Sequence, residues 1–223
     1  LVEVFESQIC EKLSPKYAIA VNSATSALHI ACMALEINEN DTVWTSPNSF
    51  VASANCALYC GAKVDFVDID LETGLISIEK LIKKLEEAAV LKKLPSLLIP
   101  VHLCGSSCEM EAIKKLSLKY GFKIIEDASH AIGGKYNGTY VGACQYSDIT
   151  VFSFHPVKII TTGEGGVACT NIKNYADKLY KLRSHGIEKN HKNFLESTDK
   201  PWVYEQQIIG YNYRMTDIHA ALG

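Results

Sequence analysis

The sequence predicts an α/β fold, a three-layer αβα sandwich built on a mostly parallel sheet. Three observations point there. Compact apolar runs too short for helices alternate with amphipathic stretches of helix length along the chain. That alternation is the pattern of strand–helix–strand crossovers, which place helices on both faces of a parallel sheet. No internal repeat or low-complexity linker divides the 223 residues, a length that holds one substantial core.

The elements follow in order. Val2, Phe5, Ile9 and Leu13 recur at helical spacing. Tyr17–Val21 is a short apolar run and reads as a strand. A helix over Thr25–Leu35 is entered through Asn22 and Ser23, both good N-cap types. Thr42–Ser46 is a strand, and Phe50–Cys60 a helix that Gly61 closes. Then come a strand at Val64–Val67, a helix at Ile78–Ala89 and a strand at Leu97–Val101. Met110–Tyr120 is a helix stopped by Gly121, followed by a strand at Lys123–Glu126. Ile149–Phe154 and Gly166–Thr170 are further strands, and Tyr175–Arg183 is a helix. Glu188–Lys200 is polar and poorly patterned, which predicts a mobile surface loop. The chain opens inside one helix without an initiator Met and stops inside another at Ala220–Gly223, so a piece of a longer protein is expected.

Composition narrows the function. Hydrophobic residues make up 48%, charged residues 21%, and the formal net charge is −3. Neither nucleic acid nor an anionic membrane is an expected partner. No apolar run approaches a membrane span and no signal peptide is visible. The eight cysteines mostly stand in apolar or small-residue company, where cysteine acts as a small hydrophobe. His102-x-Cys104-x3-Cys108 is the best metal candidate, but it lacks a second Cys/His cluster at zinc spacing. Reduced thiols, a cytoplasmic location and no metal are expected.

Three segments fall where such sheets bind ligands, at the carboxyl ends of strands. Lys158 stands in Ser153-Phe-His-Pro-Val-Lys158, just before Gly163-Glu-Gly-Gly166. A desolvated amine loses its proton more readily and exposes the lone pair that a Schiff-base nucleophile needs. Asp127 ends a buried strand and needs a charged partner. Asn22–Ser26 opens a helix, where free N–H groups, hydroxyls and the positive helix end make a phosphate seat. Ser153 stands where it can donate to the same phosphate. Each segment also has a plain reading in isolation: a snorkelling lysine, a capping aspartate, an ordinary capped helix. Together they match the needs of pyridoxal 5′-phosphate (PLP), which takes a lysine, a carboxylate on its ring nitrogen and a phosphate cup.

Seven motifs, in this order, resemble the DegT/DnrJ/EryC1/StrS family of PLP-dependent nucleotide-sugar aminotransferases. They are Asn22-Ser-Ala-Thr-Ser-Ala-Leu28, Thr45-Ser-Pro-Asn-Ser-Phe-Val-Ala-Ser53, Glu126-Asp-Ala-Ser-His-Ala131, Ser153-Phe-His-Pro-Val-Lys158, Thr161-Thr-Gly-Glu-Gly-Gly166, Arg183-Ser-His-Gly186 and Gly210-Tyr-Asn-Tyr-Arg214. Ala24 stands where the family often has glycine. The likeness spans Leu1 to Gly223 and is strongest to the pseudaminic acid branch.

The resemblance implies the aspartate-aminotransferase-like fold (fold type I), with 1–223 as a PLP-binding large domain, incomplete at both ends and without the small C-terminal domain. It implies Lys158 as the catalytic residue and covalent anchor, and Asp127 on the pyridinium nitrogen. It further implies Phe50 on the ring face, His130 beside the ring, and Ala24, Thr25 and Ser153 on the phosphate. Asn212 would reach the phosphate of a neighbouring subunit in a homodimer with shared active sites. Glutamate would donate the amino group to a nucleotide-linked 4-keto-6-deoxy sugar, a UDP-linked N-acetyl sugar in surface-glycan synthesis. Three alternatives stay open: a GDP- or dTDP-linked sugar, a PLP sugar dehydratase, and a non-catalytic truncated remnant. The dehydratase replaces the Schiff-base lysine with histidine, and here that position holds Lys158.

Overall fold

The computed structural model describes every residue except Ser197 and Asp199. Helix α1 spans Val2–Leu13, β1 Tyr17–Val21, α2 Ala24–Ala34, β2 Thr42–Thr45, α3 Ala52–Tyr59 and β3 Lys63–Phe66. Helix α4 spans Ile78–Val90, β4 Leu97–Ile99, α5 Met110–Tyr120 and β5 Lys123–Asp127. Two two-residue strands follow, β6 at Lys135–Tyr136 and β7 at Thr139–Tyr140. Then come β8 at Ile149–Ser153, β9 at Gly166–Thr170 and α6 at Lys173–Leu182. The last elements are β10 at Ile187–Glu188, β11 at Glu205–Gln206 and α7 at Asp217–Leu222.

Seven strands form one sheet in the order β1-β9-β8-β5-β4-β2-β3. Pairs β2–β3, β2–β4, β4–β5 and β5–β8 are parallel. Strand β9 runs against both its neighbours, β8 and β1. The predicted mostly parallel sheet is therefore present, with one reversed strand next to the edge.

Two core faces explain why these runs are strands. Val43, Leu97, Ile99, Ile125 and Ala168 pack on one side with residues of α2, α3 and α6. Their neighbours Trp44, Leu98 and Ile124 pack on the other side with residues of α4 and α5. Val167 and Cys169 share that second side with residues of α1 and α7. The period of two sends successive side chains to opposite faces. Both faces are apolar because both are covered, so the strands read as continuous apolar runs rather than alternations. Each fully buried Leu or Ile contributes on the order of 1.5–3 kcal/mol to that packing.

The element bounds differ from expectation in ways that chemistry explains. Helix α3 begins at Ala52 rather than Phe50, and Phe50 is 72% exposed. Strand β4 stops at Ile99 because Pro100 has no N–H to donate, although an isolated bridge pairs Val101 with Asp127. The stretch expected to be a loop, 188–200, begins in β10, which pairs with β11, and carries a 3-10 turn at His191–Asn193. Ser197 and Asp199 of that stretch lie outside the described residues. Two-residue strands have no periodicity to read, so the hairpins β6–β7 and β10–β11 were invisible in the sequence.

A charged clamp locks the sheet edge next to the site. Buried Glu6 accepts from Ala20 N–H at 2.7 Å and pairs with Arg183. The Arg183 guanidinium also donates to the Ala20 carbonyl at 2.8 Å. Thus α1 and α6 grip β1 through one shared ion pair. Removing one partner of such a pair strands the other. Arg183→Ala should lower unfolding stability by about 3 kcal/mol, read as a lower denaturation midpoint at unchanged m-value.

Candidate active site

A cavity of about 270 Å³ opens at the carboxyl ends of β2, β5 and β8. Its lining includes Leu28, Phe50, Asp127, His130, Ser153 and Lys158. Five of the expected site residues therefore meet at one place. A larger groove of about 520 Å³ lies between α1, α7 and the 132–140 segment. That groove is apolar and, among the described residues, carries Lys12 as its only charged side chain, so the chemistry gathers in the smaller cavity.

Asp127 sits at the last position of β5 and is 4% exposed. Its Oδ2 accepts from Ser53 Oγ at 2.6 Å. Its Oδ1 accepts from the Ser129 hydroxyl at 2.6 Å and from the Ser129 N–H at 3.1 Å. Ser49 and Ser53 are linked at 2.7 Å, which extends the chain of hydroxyls to the cavity rim. Among the described residues no cation is in ion-pair contact with Asp127. A buried carboxylate held only by hydroxyls and one N–H leaves charge uncompensated. Ser53 and Ser129 lay inside motifs noted above but had no role there. A hydroxyl within reach of a strand-end aspartate depends on tertiary placement, which no local pattern carries.

Lys158 lies on an excursion between β8 and β9. Its two ends are tied at Phe154: Phe154 N–H donates to the Gly165 carbonyl, and Thr162 N–H to the Phe154 carbonyl. A tight turn inside it is closed by Lys158 N–H donating to the His155 carbonyl at 2.9 Å. Burial lowers the Lys158 pKa below the usual lysine range, while the charge of Asp127 opposes that shift. His130 is lowered too, first by burial and then by Lys158, with Asp127 again opposing.

Ala24 and Thr25 occupy the first turn of α2, half-buried and outside the cavity lining. Ser23 caps the helix, its Oγ accepting from Ser26 N–H at 3.1 Å. The N–H groups of Ala24 and Thr25 are left without an intrahelical acceptor. Leu28, one turn on, lines the cavity, so the face shared by residues 24, 25 and 28 points toward it. Gly166 brings the parts together. It pairs with Ser153 across β8–β9, and a Cβ there would fall 2.5 Å from Ala24 N. Only glycine lets Ser153 and the start of α2 approach so closely.

Asn212 stands apart from the cavity lining, exposed and bridged to Ser184. Its carbonyl accepts weakly from Asn22 Nδ2 at 3.5 Å. All eight cysteines are free thiols. Among the described residues no group of three or more His, Cys, Asp or Glu could hold a metal ion. No described helix is long and apolar enough to cross a membrane.

Comparison with known proteins agrees with this geometry. The model of the DegT/DnrJ/EryC1/StrS aminotransferase family matches residues 1–223. A Campylobacter jejuni UDP-4-amino-4,6-dideoxy-N-acetyl-beta-L-altrosamine transaminase is 43% identical over 224 residues, covering 100% of this chain and 55% of that protein. Helicobacter pylori PseC, an aminotransferase involved in the biosynthesis of pseudoaminic acid, superposes with a TM-score of 0.84 at 34% identity, covering 99% of this chain and 55% of that one. Bacillus subtilis NtdA, solved with bound cofactor PMP, superposes at 0.82 with 32% identity over 99% of this chain and 46% of that one. The chain thus spans about half the length of the relatives it matches.

The site geometry makes one electrostatic test available without any ligand. Asp127→Asn removes the one charge that opposes the lowering of Lys158. The Lys158 titration midpoint should move further down, read by NMR on ¹³C-methylated lysines. A midpoint that stays put or rises would show that the two groups are not coupled.

Proposed function

We propose, for a chain that belongs to the DegT/DnrJ/EryC1/StrS aminotransferase family, that it is the PLP-binding large domain of an enzyme carrying an amino group from glutamate to a nucleotide-linked 4-keto-6-deoxy sugar. The favoured acceptor is a UDP-linked N-acetyl sugar of pseudaminic acid or other surface-glycan synthesis, since the transaminase at 43% identity carries a UDP-linked product in its name. The remaining length of the relatives would supply the small domain. The observation that carries the proposal is one cavity holding a half-buried lysine with a buried aspartate that has no cationic partner among the described residues.

The residues present fit the cofactor. A protonated ring nitrogen would give Asp127 the cation it lacks. Ser53 and Ser129 would hold that carboxylate in place, aimed at the nitrogen. The open N–H groups of Ala24 and Thr25, with the Ser153 hydroxyl, would take the phosphate at the positive end of α2. Phe50 would cover one ring face with its exposed flat side chain, and His130 would stand beside the ring. When bound, PLP supplies an electrophilic carbon and an electron sink.

Lys158 then has two tasks. Its amine would hold the cofactor and would be free to act as a base once glutamate is bound. Its lowered pKa keeps a larger neutral fraction at working pH, so the freed amine removes the α-proton of glutamate and returns a proton on the same face. The keto sugar is served by the same amine in the reverse order, which gives ping-pong kinetics.

A homodimer with shared sites belongs to the same proposal. Phe50 and Val157, both on the cavity rim, are 72% and 78% exposed, and Val51 and Ile159 extend that apolar surface. A second subunit would cover it, with Asn212 of one subunit reaching the phosphate of the other. Free thiols and the proposed substrates fit the cytoplasm.

Borohydride treatment with PLP should fix the cofactor to Lys158, read by peptide mapping. A label on another lysine would refute the assignment. Lys158→Ala should lose turnover about 10⁴-fold. With glutamate and a panel of UDP-, GDP- and dTDP-4-keto sugars, mass spectrometry should find the UDP-linked amino sugar as the main product; amination of another panel member alone would move the substrate to that nucleotide.

The dimer is tested by mixing Asn212→Ala subunits with Lys158→Ala subunits. Shared sites should restore up to about a quarter of wild-type activity, since one of the two sites in each heterodimer carries neither lesion. Proven subunit exchange without recovery would place Asn212 outside a shared site.

A further inference from the structure

The segment His102–Cys108 was singled out in the sequence as a metal candidate, yet the structure uses it for something else. His102 is fully buried and Glu126 is 5% exposed. His102 Nε2 meets Glu126 Oε2 at 2.8 Å. The other carboxylate oxygen accepts from Ser147 Oγ at 2.5 Å and Thr150 Oγ1 at 3.0 Å. Burial alone would raise the Glu126 pKa, but these hydrogen bonds hold it below the usual carboxylate range. Cys108 N–H donates to His102 Nδ1 at 3.2 Å. Glu126 favours the charged form of His102, but the Cys108 N–H can only donate and needs the Nδ1 lone pair, so the ring proton sits on Nε2 against Glu126. The network is buried and satisfied on every side.

From this anchor the backbone runs straight to the site. Asp127 N–H donates to the Pro100 carbonyl and His102 N–H to the Asp127 carbonyl, both at 3.0 Å. Two residues on, Cys104 adopts a left-handed conformation with φ 54° and ψ 19°, and Gly105 follows at φ 89°. The turn presses on the site: a Cβ at Gly105 would fall 2.9 Å from the His130 carbonyl. Its product is one directed hydrogen bond, Cys104 N–H to His130 Nδ1 at 3.2 Å.

We propose that the buried His102–Glu126 pair is a positioning device that locks the 102–105 turn, so that Cys104 N–H holds His130 as the neutral tautomer with its only ring proton on Nε2. A backbone N–H can only donate, so His130 Nδ1 must keep its lone pair. Protonating that nitrogen would break the bond and set two donors against each other. The groups that face His130 act in both directions: Lys158 opposes its protonation and Asp127 favours it. The turn adds a geometric veto to the charge balance. His130 therefore offers the cavity a donor and no lone pair. It can hold an oxygen of a bound ring or substrate, and it cannot compete with Lys158 for a proton. This last consequence rests on the reading of the cavity as a PLP site, whereas the tautomer does not.

The test is NMR on the ¹⁵N-histidine-labelled chain, with and without PLP, with His130→Gln used to assign the resonance. His130 should show a protonated Nε2, a bare Nδ1 and a titration midpoint below that of ordinary histidine. His102→Gln removes the anchor and should let His130 exchange between tautomers, its midpoint rising by about one pH unit. Gly105→Ala pushes the turn off His130 without touching the buried pair and should give the same two changes if His102→Gln fails to fold. Rescue should appear in Glu126→Gln, whose side-chain oxygen still accepts from His102 Nε2 and keeps the His130 tautomer. A wild-type His130 protonated on Nδ1 overturns the proposal, as does an unchanged tautomer and midpoint in folded variants of both His102 and Gly105. Failure of the Lys158 label would instead remove the PLP reading and leave the tautomer result standing.

Discussion

Burying Asp127 at the end of β5 costs several kcal/mol of lost hydration, and much of the surrounding structure is arranged around that cost. Three donors from Ser53 and Ser129 offset part of it. The backbone on either side is pinned by Pro100 and His102. None of these partners is a cation, so the site keeps a standing demand for positive charge. A ligand that brings such a charge is bound by a group already desolvated and already aimed, which is the condition under which a charge pair is strongest.

The reversed strand β9 makes the rest of the site possible. Because β9 runs back beside β8, the chain leaves β8 at Ser153, makes its excursion through Lys158, and returns at Gly166 directly opposite Ser153. A parallel crossover would have carried the chain to the far end of the sheet before it came back. The reversal keeps Lys158 and the Ser153 hydroxyl close along the chain, on either side of one turn. It also places Gly166 against the start of α2. Two ends of the proposed cofactor site are thus coupled through a single ladder pair.

The sequence made the sheet legible because its strands are covered on both faces and read as compact apolar runs. Strand β1 and helix α5 fall where the pattern placed them. Lys158, Asp127 and Ser153 were legible because a charged or polar residue at the end of an apolar run asks for an explanation. Asn212, Phe50 and His130 carried no such local signal and entered through the family resemblance. Ser53 and Ser129 were illegible in role, since their meaning lies in a 2.6 Å approach between elements distant in the chain or turned back on themselves. The His102-x-Cys104-x3-Cys108 segment shows how little spacing alone says about a residue's partners. It resembles a ligand set, but its histidine faces a carboxylate, and the Cys104 N–H rather than its thiol reaches the site.

Glu126 and Asp127 stand next to each other on β5 and meet opposite surroundings. Adjacent residues on one strand point to opposite faces. Glu126 turns inward and finds His102, Ser147 and Thr150, which satisfy both oxygens and fix it. Asp127 turns to the cavity and finds only neutral donors. One carboxylate closes its network and braces the turn behind His130; the other leaves its network open toward a ligand. The pleat of β5 thereby separates a satisfied acid from one that faces the cavity by a single residue. A shift of register by one position would exchange them, burying the open charge beneath the sheet and spending the closed one on solvent. The parallel pairing of Ile125 with Ile149 and Asp127 with Val151 holds this register, because a slip would pull Ile125, Ile149 and Val151 out of the core they fill on one face.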